Sequence, residues 1–177
     1  MGEHRETERT PATIIVPRTT EKLTVLSLSP LDEDHLSLQA IISHSTWMLL
    51  TAHDFGSAVT LLQHHEIAVI LCERDLSQET WIDVLDHINA LPNAPSLIVA
   101  SRIADDRLWA EVLNLGAWGV LTKPFDRKEV IRSVKSGWQH WHDRIHVRAK
   151  KMAVATFCGG HSGAGDAVRA RTANGQR

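Results

Sequence analysis

From Lys22 onward two kinds of text alternate along the chain. Short apolar, β-rich runs stand at Leu23–Leu28, Trp47–Thr51, Ile67–Cys72, Leu97–Ala100 and Val120–Thr122. Between them lie stretches with apolar residues at helical spacing: Leu31–Ser43, Phe55–His64, Thr80–Asn89, Asp105–Leu115 and Arg127–Trp141. Strand text such as Ala68-Val69-Ile70-Leu71-Cys72 is apolar at every position rather than at alternate ones. A parallel sheet buried on both faces requires that pattern. Five βα units with short connections therefore predict an α/β domain, a parallel sheet with helices on both faces.

Local signals support this division. Ser29-Pro30-Leu31-Asp32 predicts an N-cap serine, proline at the first helical position and an acid in the first turn. Asp54 is placed to cap the second helix and Gly116 to close the fourth. In the last helix Val130, Val134, Trp138, Trp141 and Ile145 form one apolar stripe, whose C-terminal half passes the expected domain edge and suits self-association or docking.

The flanks differ in composition. Residues 1–20 are polar, carry Pro11 and Pro17, and read as a flexible lead-in, although Thr13-Ile14-Ile15-Val16 has the text of a weak edge strand. The domain proper spans 21–145. Residues 146–177 read as a basic, Gly/Ala-rich disordered tail. Within it, Gly159 to Gly165 after Val154-Ala155-Thr156-Phe157 has the outline of a phosphate-binding loop after a strand. It lacks the Gly-Lys-(Ser/Thr) that would reach the phosphates, since Asp166 and Ala167 follow.

Composition narrows the classes. A chain of 177 residues fits one domain with tails, and a net charge of −2 offers no global field for nucleic acid or anionic membrane. No apolar run is long enough to span a bilayer, and the charged start lacks a secretion signal, so a cytoplasmic protein is expected. The two cysteines, Cys72 and Cys158, read as free thiols. His64 and His65 are adjacent and His140 and His142 are two apart, spacings that share no helix face, so no metal site is expected.

The ten residues Gly116-Ala117-Trp118-Gly119-Val120-Leu121-Thr122-Lys123-Pro124-Phe125 combine a helix end, a short buried strand and a Lys-Pro-Phe exit. This segment resembles the last strand of response-regulator receiver domains, whose usual text is G-A-x-x-(Tyr/Phe)-L-x-K-P-F. The resemblance runs from about Leu23 to Trp141. It implies a flavodoxin-like, chemotaxis-regulator-like doubly wound fold with five strands in the order 2-1-3-4-5. The site then lies beyond the strand carboxyl ends, at the switch between the first and third strands. In the family a histidine kinase phosphorylates an aspartate on the third strand, and a magnesium ion held by two acids after the first strand assists. A lysine, preceding a typically cis proline, and a Ser/Thr on the fourth strand hold the phosphoryl oxygens.

Carried over residue by residue, Lys123 matches the lysine and Glu73 stands at the phosphoacceptor position. Asp75 is the rival acceptor, two residues on. The acid-pair positions hold Ser29 and Pro30, neither a good magnesium ligand, so no cofactor is expected. Asp32, Glu33 and Asp34 come later and read as a solvated first turn. The fourth-strand hydroxyl position falls on Ala100, with Ser101 one residue further and therefore on the other face if the strand continues. The aromatic switch position holds Val120. A glutamate exceeds aspartate by one methylene, and a misplacement of ~1 Å costs ~100-fold in a positioned reaction.

These departures point to an atypical, stand-alone receiver that is not an enzyme and works by binding other proteins in two-component or phosphorelay signalling. Phosphotransfer by the usual aspartate and magnesium route is not expected. Glu73 facing Lys123 is open to two readings, a permanent pair that imitates the phosphorylated state or a purely structural one. Expected partners are a histidine kinase or a downstream signalling protein, and a second copy through the fourth helix, fifth strand and fifth helix. Trp109, Trp118, Trp138 and Trp141 fall on that surface and are its interface candidates, or else close the core. Neither membrane nor nucleic acid is expected as a partner. The alternatives are a nucleic-acid-associated regulator using the basic tail and a remnant of a receiver–ATPase fusion.

Overall fold

A computed structural model describes residues 23–158, with side chains through Lys151. Five strands alternate with five helices: β1 (Thr24–Leu28), α1 (Asp32–Ile42), β2 (Met48–Ala52), α2 (Phe55–His64), β3 (Val69–Glu73), α3 (Trp81–Asn89), β4 (Ser96–Ser101), α4 (Asp106–Leu115), β5 (Gly119–Thr122) and α5 (Arg127–Cys158). All strand pairs are parallel and the order is β2-β1-β3-β4-β5, the flavodoxin-like arrangement that the receiver-domain resemblance implies.

Two cores follow from the period of two along each strand. Leu26, Leu28, Ile70, Cys72, Leu97, Val99 and Val120 point to one face, where Ala58, Trp81, Val84, Leu108 and Val112 of α2, α3 and α4 cover them. Val25, Val69, Leu71, Ile98 and Leu121 point to the other, against Leu38 of α1 and Val130, Val134 and Trp141 of α5. Each buried aliphatic side chain contributes on the order of 1.5–3 kcal/mol. By the same parity Glu73, Ala100 and Lys123 leave the sheet on the α1/α5 face.

Helix ends agree with the text in most places. Asp54 Oδ1 accepts the Ser57 amide at 2.7 Å, Thr80 and Asp83 form a reciprocal capping box, and Gly116 ends α4 at φ 94°. The start of α1 differs. Leu31 is its N-cap and makes no side-chain cap bond, so Ser29 and Pro30 lie before the helix. The reason is that Ser29 still belongs to the sheet edge, its amide donating to the Ala52 carbonyl at 3.1 Å.

The last helix is the larger correction. It runs unbroken for 32 residues to Cys158, so the boundary expected at 145 falls inside it, and Val154–Phe157 is helical rather than a strand. Ala, Lys and Met between 149 and 155 are strong helix formers, and the first glycine pair comes only at 159–160. Arg148 of the basic stretch therefore serves the fold, donating to the Pro92 carbonyl at 2.6 Å as Arg144, just before the stretch, donates to that of Ala94 at 2.5 Å. The apolar stripe also faces inward, since Val130 and Val134 are fully buried and Trp141 nearly so. The lead-in 1–20 and the Gly159–Gly165 segment lie outside the described residues.

Candidate functional site

The site forms where β1, β3 and β5 end and α1 begins. Glu73 is the last residue of β3 and Lys123 the first after β5. The Lys123–Pro124 peptide bond is cis. The Lys123 ammonium donates to Glu73 Oε2 and also to Asp34 Oδ2, so one cation sits between two carboxylates. Only 5%, 7% and 11% of the Lys123, Asp34 and Glu73 side chains reach solvent. Charges so far from water survive only when paired and hydrogen-bonded.

Asp34 is the residue that sequence reasoning missed. Far from standing in a solvated turn, it is buried and takes a second hydrogen bond from Ser29 Oγ at 2.5 Å. Ser29 in turn accepts the Leu31 amide at 3.2 Å. The serine at an acid-pair position thus orients an acid five residues later, while Pro30 brings no oxygen. The other two acids of the turn also find cations at the rim: Asp32 accepts from His53 Nε2 at 2.7 Å, and Glu33 from Arg102. A cleft of about 330 Å³ opens beside the cluster between Glu33, Ser37, Arg102 and Phe125.

Beneath Asp34, His35 is buried with both ring nitrogens engaged. Ser27 Oγ lies 2.8 Å from Nδ1, and Nε2 lies 3.0 Å from the Ser29 carbonyl. The carbonyl needs a donor, so Nε2 carries the proton and Nδ1 accepts from the serine. Burial, and then the charge of nearby His53, hold the His35 pKa below its ordinary 6.5.

The fourth strand brings no hydroxyl to the cluster. Ala100 pairs with Glu73 in register and presents a methyl, a small floor under the ion pair. Ser101 lies within β4 and hence on the opposite face, where its hydroxyl donates to the Ile103 carbonyl and accepts the Ile103 amide, both at 3.1 Å. Asp75, the rival acceptor, has 82% of its side chain in solvent and lies near Arg74 instead. Val120 is buried in the core.

The donor set suits an ammonium better than a magnesium ion. Magnesium asks for several oxygen ligands in a near-octahedral set. Here the converging oxygens Asp34 Oδ2 and Glu73 Oε2 are both engaged by Lys123 Nζ, and Pro30 supplies none. Among the described residues no group of three or more His, Cys, Asp or Glu converges as a metal site.

The tryptophans separate by environment. Trp141 is 7% exposed and its Nε1 donates to the Asn93 carbonyl at 3.3 Å, so it belongs to the core and is no interface candidate. Trp118 and Trp138 are half-buried, Trp118 stacking on His140 with centroids 4.3 Å apart. Trp109 alone of the four is exposed, and Leu113, four residues on along α4, is more so.

Comparison with known proteins gives one sequence family and many structures. The family described as the response regulator receiver domain matches residues 32–135. Comparison with curated proteins gives no match. Among solved structures, the signal receiver domain of an HD domain-containing protein from Pseudomonas fluorescens Pf-5 superposes with a TM-score of 0.67 at 22% identity, covering 75% of this chain and 98% of that one. A two-component response regulator from Clostridium difficile gives 0.61 at 16%, covering 67% and 97%. Chemotaxis protein CheY4 of Vibrio cholerae gives 0.59 at 15%, covering 66% and 98%. At these identities the structures speak for the fold alone.

Proposed function

The chain belongs to the response regulator receiver family, and we propose that it is an atypical member whose signalling state is set by a built-in charge cluster rather than by phosphotransfer. The observation that carries this is the Lys123 ammonium between Glu73 and Asp34. At the acceptor position stands an anion that needs no kinase, and it already holds the lysine that would otherwise meet a phosphoryl group. With Ala100 in place of a hydroxyl and Lys123 engaged by both converging carboxylates, magnesium binds weakly or not at all.

The protein on this reading is a binding partner and not an enzyme. Its output is the surface of α4, β5 and α5, which a downstream signalling protein or a histidine kinase reads. Among the described residues no helix is long and apolar enough to cross a membrane. The pair holds the β5–α5 loop in one place and biases a two-state surface by about 1–3 kcal/mol, the usual size of a coupling energy.

The test is Glu73→Gln, which removes the charge and nearly preserves the shape. Amide shifts along β5, α4 and the start of α5 are expected to move together in the full chain. Addition of beryllofluoride with magnesium to the wild type is expected to move none of them. A Glu73→Gln spectrum changed only next to residue 73 makes the pair purely structural. A wild type that answers beryllofluoride with micromolar magnesium restores phosphotransfer and overturns the reading.

A further inference from the structure

At the opposite end of the sheet, His142 and His146 stand one turn apart on α5, a spacing that shares a helix face. Their Nε2 atoms are 2.8 Å apart and their ring centroids 4.1 Å. One Nε2 therefore carries a hydrogen and the other offers its lone pair, so the two nitrogens face each other across one hydrogen. Two imidazoles bound to a tetrahedral zinc ion at ~2.0–2.1 Å place their nitrogens about 3.3 Å apart. Exchanging the shared hydrogen for a metal asks the nitrogens to part by about half an ångström and the ring centroids by about 1 Å, a movement open to the exposed His146 side chain.

The surroundings favour a ligand there. The pair opens on a cavity of about 380 Å³ between α5 and the amino-terminal edge of the sheet, which His65 and Glu66 also line. Both are exposed at the turn between α2 and β3. When Nε2 binds a metal, the proton of a neutral histidine resides on Nδ1, and Asp143 Oδ1 lies 3.8 Å from that atom of His142. At 3.8 Å this carboxylate is not hydrogen-bonded to the ring; closing to about 3 Å would let it fix the tautomer and raise the basicity of a ligating imidazole.

We propose that His142 and His146 form a two-histidine clip for a divalent ion of the zinc and copper class, completed by a side chain of the His65-Glu66 turn and by water. Imidazole and carboxylate suit these ions, and copper(II) is the tighter of the two. Because only two ligands converge beforehand, the site is an exchangeable one, and the bound ion ties the long helix to the α2–β3 turn.

The experiment titrates copper(II) and, separately, zinc into the full chain, reading tryptophan fluorescence and heat. Trp138 is the reporter, its ring 5.3 Å from that of His142. Wild type is expected to show one saturable phase with quenching by copper. His146→Gln is expected to weaken that phase by at least about tenfold, since loss of an outer-shell partner alone costs ~10–100-fold. His53→Gln, at the far end of the sheet, is expected to leave it unchanged. Zinc is also expected to raise the thermal midpoint of wild type but not of His146→Gln, whose exposed side chain the fold does not need. Equal binding by wild type and His146→Gln, or no saturable phase for either ion in large excess, overturns the proposal.

Discussion

Three acids open α1, and each meets a different basic group: Asp32 His53, Glu33 Arg102, and Asp34 Lys123. The first two pairs are exposed, so solvent screening leaves them worth little. Asp34 differs because it is buried, and its neighbour His35 is buried with it. His35 is held neutral, its pKa pushed below 6.5 by burial first and His53 second. The unfolded chain therefore binds this proton more readily than the folded one. Its effect on stability is absent above about pH 6.5 and grows as pH falls, costing stability down to the folded pKa. Urea denaturation at pH 7.5 and pH 5.5 is expected to show a smaller loss on acidification for His35→Gln than for wild type. An equal loss in both means that other groups govern the acid limb.

At the scale of elements, α5 decides the most. Gly137 lets it approach the sheet, and a Cβ there would come 3.3 Å from Trp118, 3.4 Å from Ser96 and 3.5 Å from Val69. Ser96 Oγ also donates to the Gly137 carbonyl at 2.8 Å, a bond across the buried interface. Gly137→Ala sets a helix-propensity gain of up to about 1 kcal/mol against that tight contact, and the freedom of the Trp118 ring to shift decides the sign. Gly137→Leu has no such balance. It is expected to lower stability by about 1–3 kcal/mol, as overpacking does, read as a fall in the denaturation midpoint at unchanged slope. A midpoint equal to wild type shows that the helix tilts away freely.

For the whole molecule, the direction of apolar faces matters more than their existence. The α5 stripe is spent on the core, while on α4 Trp109 and Leu113 remain 39% and 54% exposed. Residues four apart share a face, so these two present one apolar strip beside β5. Self-association or partner docking is therefore expected through α4. Trp109→Ala with Leu113→Ala is expected to move the sedimentation coefficient towards that of a monomer, because truncating central aromatic residues costs ~2 kcal/mol or more. A wild type that stays monomeric at high concentration removes self-association from this face.

The backbone of this protein is legible locally. Continuous apolar strands, helical spacing and the caps at Asp54 and Gly116 placed all five βα units within a residue or two, the end of α5 excepted. The Leu-Thr-Lys-Pro-Phe text, through the resemblance, picked out Lys123, and following the third strand to its tip placed Glu73, because the pleat carries side-chain parity out to the end of a strand. The third member of the cluster was not legible. Successive helix residues point about 100° apart, so which of Asp32, Glu33 and Asp34 turns inward depends on the residue at which α1 begins and on how it leans on the sheet. Likewise an apolar stripe on α5 announces a face but not its cover. Asp34 and Lys123 are 89 residues apart and Glu73 and Lys123 are 50 apart. Local periodicity carries no information on distances of that kind; only the crossovers of the folded sheet bring such groups to one point.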